Sequence, residues 1–130
     1  MKNEISVTFE GRYVLAFSNG EKNIELATKL WTEIVSECKK HDCFNILGIA
    51  DTSAPINTTG AIDHVELFQK LGLTTHYRIA WVELNPEYYH TASFVETILS
   101  SYGVNCRVFM DLKDARKWLF YGNYPLDQQR

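Results

Sequence analysis

The chain has 130 residues, of which 45% are hydrophobic, and its 13 basic and 16 acidic residues give a net charge of −3. This size suits one domain with its own core, and the scattered basic residues offer no field for binding nucleic acid. Three cysteines without a CxxC pair are typical of a reducing compartment rather than a disulfide framework. Since no apolar run reaches about 18 residues, we expect a cytoplasmic protein without stable membrane insertion.

The first part of the chain predicts a hairpin followed by a long helix. Residues 5–9 alternate between apolar and polar side chains, whereas Tyr13 to Phe17 is continuously apolar, which favours two antiparallel strands. Ser18, Asn19 and Gly20 predict a break after the second strand. From Glu21 to about His41 apolar residues recur at spacings of three and four, which predicts a helix.

The central stretch FNILGIADTSAPINTTG, residues 44–60, predicts a buried strand that leads into a polar loop. Phe44 to Ala50 is apolar on both sides of the strand period, as expected of a strand covered by helices on both faces. The loop then runs from 51 to 60, and a second helix begins near Ala61 and ends at Gly72.

The remaining elements continue the alternation of strands and helices. Tyr77 to Leu84 predicts a strand, and Asn85 is placed to cap a third helix. Val104 to Met110 predicts the last strand, after which Asp111 is placed to cap a fourth helix.

The predicted order is therefore ββαβαβαβα, a single α/β domain over residues 1–122 with a polar tail over 123–130. Strands that alternate with helices after a hairpin favour a mostly parallel mixed sheet with an N-terminal antiparallel hairpin. In such a sheet the loops at the carboxyl ends of the strands form the usual binding edge.

This order, together with residues 78–119, resembles the SpoIIAA-like family of STAS domains, the fold of bacterial anti-anti-sigma factors and of the cytoplasmic part of sulphate transporters. The most specific part is FVETILSSYGVNCRVFMDLKDARKWL, residues 94–119, which looks like the closing helix, strand and helix of that family. The resemblance implies a non-enzymatic regulatory or binding module that uses no cofactor.

Anti-anti-sigma factors carry a D-S-[ST]-G motif before the second helix, and a partner kinase phosphorylates its first serine. Here the motif reads Asn57, Thr58, Thr59, Gly60, so Thr58 matches the phosphorylated serine, while Asn57 departs from the aspartate and threonine replaces serine. A phosphate is favoured at a helix N-terminus. The resemblance thus makes Thr58 a candidate for regulated phosphorylation, whereas plain helix capping by Asn and Thr explains the same residues without it.

We predict a binding site at the carboxyl edge of the sheet for a protein partner or a small apolar ligand. A deep cavity there favours a ligand, whereas a convex exposed loop favours a partner, and a homodimer is compatible with the sequence. The predicted binding loop comprises Asp51, Thr52, Ser53, Asn57, Thr58, Thr59 and Gly60. The predicted pocket or patch comprises Trp81, Glu83, Tyr88, Tyr89 and His90.

The alternative function is a small hydrolase or metal-dependent enzyme that uses Asp51, Glu83 and a histidine. A related alternative is a divalent-cation or phosphoryl site formed by Asp51, Glu83 and Asp111. Each of these carboxylates is also explained as a helix cap or a solvated strand end. No Ser, His and Asp order forms a nucleophile elbow. We therefore predict no catalytic residue.

Cys38, His41 and Cys43 have a spacing that offers soft metal ligands, but no fourth ligand is evident. Cys38 falls on the apolar face of the first helix, which favours core packing. We therefore predict no metal site.

Overall fold

The computed structural model describes residues 4–21, 23–54 and 58–121, apart from the side chains of residues 54 and 58–61. Its strands are β1 (Glu4–Phe9), β2 (Val14–Glu21), β3 (Asn45–Ala54), β4 (Arg78–Glu83) and β5 (Cys106–Phe109). Its helices are α1 (Ile24–His41), α2 (Thr58–Leu71), α3 (Tyr89–Ser101) and α4 (Leu112–Tyr121), and a 3-10 turn, Pro86–Tyr88, leads into α3. This succession confirms the predicted ββαβαβαβα order.

The five strands form one mixed sheet in the order β1-β2-β3-β4-β5. β1 is antiparallel to β2, and each further neighbouring pair is parallel. Parallel neighbours require a crossover connection, which α1, α2 and α3 supply. The carboxyl ends of β2, β3, β4 and β5 therefore lie at one edge of the sheet, as predicted.

The two faces of the sheet carry different helices because successive residues of a strand point to opposite sides. Ile46 of β3 packs with residues of α1, α2 and α3 in the larger core. The next residue, Leu47, packs on the other face against Ala115 and Leu119 of α4. The predicted pocket residues Trp81 and Glu83 alternate with Ile79 along β4 at a spacing of two, so they lie on the face under α1, α2 and α3.

Two strands are longer than the sequence pattern predicts. The predicted break at Ser18–Gly20 is wrong, and so is the assignment of residues 51–54 to a loop, because these two segments pair with each other. Asn19 lies opposite Asp51 and Gly20 opposite Thr52 in the parallel register. Backbone hydrogen bonding thus extends β2 and β3 beyond the point where their side chains stop being apolar. Gly20 has φ +98° next to a register shift, a conformation that glycine adopts without a steric penalty.

The helix starts follow short-range capping chemistry. The side chain of Asn85 accepts a hydrogen bond from the backbone N–H of Glu87 at 3.1 Å, and that of Asp111 accepts one from Lys113 at 3.2 Å. Both caps were predicted. α2 begins at Thr58, three residues before the predicted start at Ala61. The predicted tail, 123–130, lies outside the described residues.

Candidate functional site

A cavity of about 110 Å³ lies between the sheet and the three helices α1, α2 and α3. We call it the α1–α3 cavity. Its walls combine residues of β2, β3, β4, β5 and the three helices, and most of the buried ones are apolar. The apolar wall residues include Leu30, Trp31, Phe68, Ile79, Trp81 and Leu99.

Two tryptophans form an aromatic wall of this cavity. The Trp31 and Trp81 rings have centroids 5.4 Å apart and planes 28° apart, and Trp31 meets Phe68 edge-on at 4.6 Å. Trp81 lies directly over Gly48 of β3, where an added Cβ would be 2.1 Å from Cε3 of the ring. Gly48 therefore gives the Trp81 ring the room that it occupies on the sheet.

A buried carboxylate lies among these apolar walls. Glu83, at the end of β4, is 1% exposed and lines the cavity. Its Oε2 accepts hydrogen bonds from the backbone N–H groups of Thr52 and Asn85, both at 3.1 Å. Its Oε1 accepts one from the Thr52 hydroxyl at 2.5 Å. The Asn85 side-chain amide donates to the Thr52 carbonyl at 2.9 Å, so this Glu83 network, comprising Glu83, Thr52 and Asn85, joins the end of β3 to the turn after β4.

The structure brings together three of the five residues predicted as a pocket or patch. Trp81, Glu83 and Tyr88 line the cavity, and the Tyr88 hydroxyl donates to the Ser53 carbonyl at 3.0 Å. Tyr89 instead lines a surface depression between α3, β5 and the start of α4. His90 is exposed and lines neither.

The predicted binding loop has a different structure from the one expected. Asp51, Thr52 and Ser53 belong to β3, and Thr52 is 2% exposed because its hydroxyl and N–H are bound to Glu83. Thr52 is thus an internal residue rather than a surface contact. Asn57 lies outside the described residues. Thr58, Thr59 and Gly60 form the first turn of α2, and their side chains are outside the described part.

The carboxylates of the alternative, enzymatic interpretation are not brought together. Asp51 is exposed and, as the neighbour of Thr52 in β3, points to the opposite face of the sheet from the Glu83 network. Asp111 caps α4. Within residues 4–21, 23–54 and 58–121, no group of three His, Cys, Asp or Glu side chains is arranged to hold a metal ion.

The thiol of Cys106 lines the α1–α3 cavity in its neutral form. Burial, followed by the nearby Glu96 carboxylate, raises the pKa of Cys106 to about 12, although a hydrogen bond with Ser100 acts in the opposite direction. Burial likewise raises the pKa of Cys38 to about 12, with smaller effects from Cys43 and Glu37. A thiol with such a pKa stays protonated at neutral pH and is a poor nucleophile.

The small helical residues that line the cavity were not among the predicted site residues. Ala27 of α1 and Ala92 of α3 line the cavity, and each has only a methyl group where a larger side chain would occupy that space. A small residue on the inward face of an amphipathic helix is the signal that was available. A small residue there is compatible with close packing as well as with a cavity, so the spacing alone does not distinguish the two.

The order of the elements and the topology of the sheet define the structural class, a SpoIIAA-like fold. A solved structure described as an uncharacterised protein of the DUF3478 family with a SpoIIAA-like fold, from Shewanella loihica PV-4, matches with a TM-score of 0.56. The match covers 92% of this chain and 96% of that one at 18% sequence identity, and it confirms the predicted fold. No family model and no curated protein matches the sequence.

None of the helices in the described segments is both long and apolar enough to span a bilayer.

Proposed function

We propose that this protein is a non-catalytic, cytoplasmic SpoIIAA-like module that binds a small apolar ligand in the α1–α3 cavity. The observation that carries the proposal is the cavity itself. Protein interiors are packed as densely as organic crystals, and voids larger than a water molecule are few. A space of about 110 Å³ beside two tryptophans, which extends to the carboxyl ends of β2, β3 and β4, is therefore our candidate binding site, and it reaches the usual binding edge of this architecture.

The volume limits the ligand. An engineered apolar cavity of about 150 Å³ binds benzene, so about 110 Å³ accommodates a molecule of one small ring rather than a lipid or a nucleotide. Three wall residues, Trp81, Ala27 and Val95, are half-buried rather than buried, which supports access of solvent to the cavity. A ligand can therefore enter without unfolding of the core.

The test is a titration of the protein with small aromatic compounds, in which NMR spectra record the indole N–H signals of the tryptophans. Trp31 and Trp81 line the cavity, whereas Trp118 packs against the opposite face of the sheet with α4. We expect ligands to shift the Trp31 and Trp81 signals and leave that of Trp118 unchanged. If no compound shifts the two signals at millimolar concentration, the proposed function is wrong.

A cavity-filling substitution is the matched test by mutation. We expect Ala27→Leu to weaken binding by at least about tenfold, since its side chain would occupy space now open to a ligand. Ser36→Leu on the exposed side of the same helix adds a leucine away from the cavity and is expected to leave affinity unchanged. Equal affinities in the two variants would contradict the placement of the ligand.

A protein partner regulated through Thr58 is the second candidate. Three large apolar side chains are exposed at or near the same edge, Ile62 at 60%, Leu84 at 49% and Phe94 at 46%, and α2 begins at Thr58. A phosphate added there would interact favourably with the helix dipole.

Intact-mass measurement of the protein from its native cells tests the Thr58 proposal. We expect a species about 80 Da heavier, abolished by Thr58→Ala but retained in Thr59→Ala. Absence of this species in several growth conditions, or its survival in Thr58→Ala, would contradict the assignment.

A further inference from the structure

We propose that the ligand of the α1–α3 cavity is a neutral single-ring aromatic molecule with a hydrogen-bond donor, of the phenol class, and that its donor binds Oε1 of Glu83. This inference rests on the proposed function and adds the chemical class of the ligand. Two observations support it. Glu83 lines the cavity, and its carboxylate accepts fewer hydrogen bonds from the described residues than it has acceptor positions.

Three carboxylates line the cavity, and they differ in availability. Glu21 is exposed, and Glu96 is half-buried and accepts the backbone N–H of Val108 at 2.9 Å. Glu83 is 1% exposed. Bulk water can supply hydrogen-bond donors to Glu21 and Glu96 but hardly reaches Glu83. A further hydrogen bond to Glu83 must therefore come from a molecule bound in the cavity.

The two oxygens of Glu83 are used unequally. A carboxylate has about four acceptor positions, two on each oxygen. Oε2 accepts from the backbone N–H groups of Thr52 and Asn85, whereas Oε1 accepts from the Thr52 hydroxyl, its one donor within the described residues. When donors are counted from the described residues alone, one acceptor position remains on Oε1. Glu83 lines the cavity, so in the proposed complex a molecule bound there donates to this position.

The walls favour a flat ring as the body of the ligand. Trp31 and Trp81 present two rings 28° from parallel, and Phe68 stands edge-on to Trp31. Aromatic rings gain from such offset-stacked and edge-on neighbours beyond the burial of their area. The volume of about 110 Å³ limits the ligand to one ring.

The acceptor on Glu83 selects the substituent on that ring. An O–H or N–H group on the ligand donates a hydrogen bond to the remaining position. A purely apolar ring would exclude water and leave this buried acceptor without a hydrogen-bond donor. A carboxylate or other acceptor-only group would place oxygen lone pairs against Oε1 and is rejected. Phenol and toluene are close in size and differ in this donor, so they form the matched pair.

The test compares the affinities of phenol and toluene for the wild-type protein by the same NMR titration. We expect phenol to bind at least about tenfold more tightly, although it is the less hydrophobic of the two. We expect anisole, which lacks the donor, to lose this advantage. If toluene binds as well as phenol, the inference is overturned while the proposed function stands. If neither binds, the proposed function itself fails.

Substitution of Glu83 provides a second, independent test of the proposed hydrogen bond. In Glu83→Gln we expect the preference for phenol over toluene to fall to within about threefold, with toluene affinity retained. An undiminished preference in a folded Glu83→Gln variant would overturn the assignment to Glu83. If this variant does not fold, the comparison of phenol, toluene and anisole with the wild type decides the question by itself.

Discussion

Gly48→Ala lowers the free energy of unfolding by about 2–3 kcal/mol and closes the α1–α3 cavity, because the added methyl group overlaps the Trp81 ring. A Cβ at this position would lie 2.1 Å from Cε3 and 2.2 Å from Cζ3 of Trp81, far inside van der Waals contact. Relief requires Trp81 to move away from β3. Such a movement disrupts its stacking on Trp31 and pushes the ring into the cavity. The measurement is urea unfolding, with ligand titration of the folded fraction.

The control for Gly48→Ala is a double variant that removes the obstacle. Trp81→Leu alone is destabilising because it removes a large half-buried ring. When combined with Gly48→Ala it should cost clearly less than the sum of the two single changes, since the smaller side chain leaves room for the methyl group. Strict additivity would show that the destabilisation does not arise from contact with Trp81.

Glu83→Ala lowers the free energy of unfolding by about 2–4 kcal/mol, since it removes the acceptor of three hydrogen bonds from the interior. The backbone N–H groups of Thr52 and Asn85 and the Thr52 hydroxyl lose their acceptor together. Each buried polar group left unsatisfied costs about 1–3 kcal/mol, and water that enters the adjacent cavity offsets part of the sum. The measurement is chemical unfolding at neutral pH.

Two comparisons separate this effect from a general loss of charge. Glu83→Gln retains a carbonyl acceptor and should be less destabilising than Glu83→Ala. Glu96→Ala removes a carboxylate that accepts one backbone N–H, that of Val108, at a half-buried position where water can replace it. We expect a loss of about 1 kcal/mol or less there. Wild-type stability in Glu83→Ala would mean that desolvation of the carboxylate cancels its hydrogen bonds.

These two residues also connect stability with binding. Gly48 sets the position of Trp81, and Glu83 fixes the end of β3 against the turn after β4. The same side chains form the apolar wall and the polar end of the cavity. A preorganised site of this kind spends little of its binding free energy on ordering side chains.

Three of the predicted pocket residues line one cavity, because the prediction combined local signals with one rule about parallel sheets. Trp81, Glu83 and Tyr88 come from the end of β4 and the turn that follows, so their proximity to one another is determined over a few residues. Thr52 was wrongly predicted to lie in a loop, because it stands in a run of polar and small residues of the kind that is common in loops. Its burial depends on Glu83, 31 residues further along the chain.

The sequence by itself determined the order of strands and helices, the caps at Asn85 and Asp111, and the resemblance to the SpoIIAA-like fold. These features follow from periodicity and from hydrogen bonds between near neighbours. The tertiary structure decided how far β2 and β3 extend, which helix covers which face, and that a cavity remains beside Trp31 and Trp81. Strand pairing and void volume depend on atoms brought together from distant segments, and no local pattern of side chains specifies them.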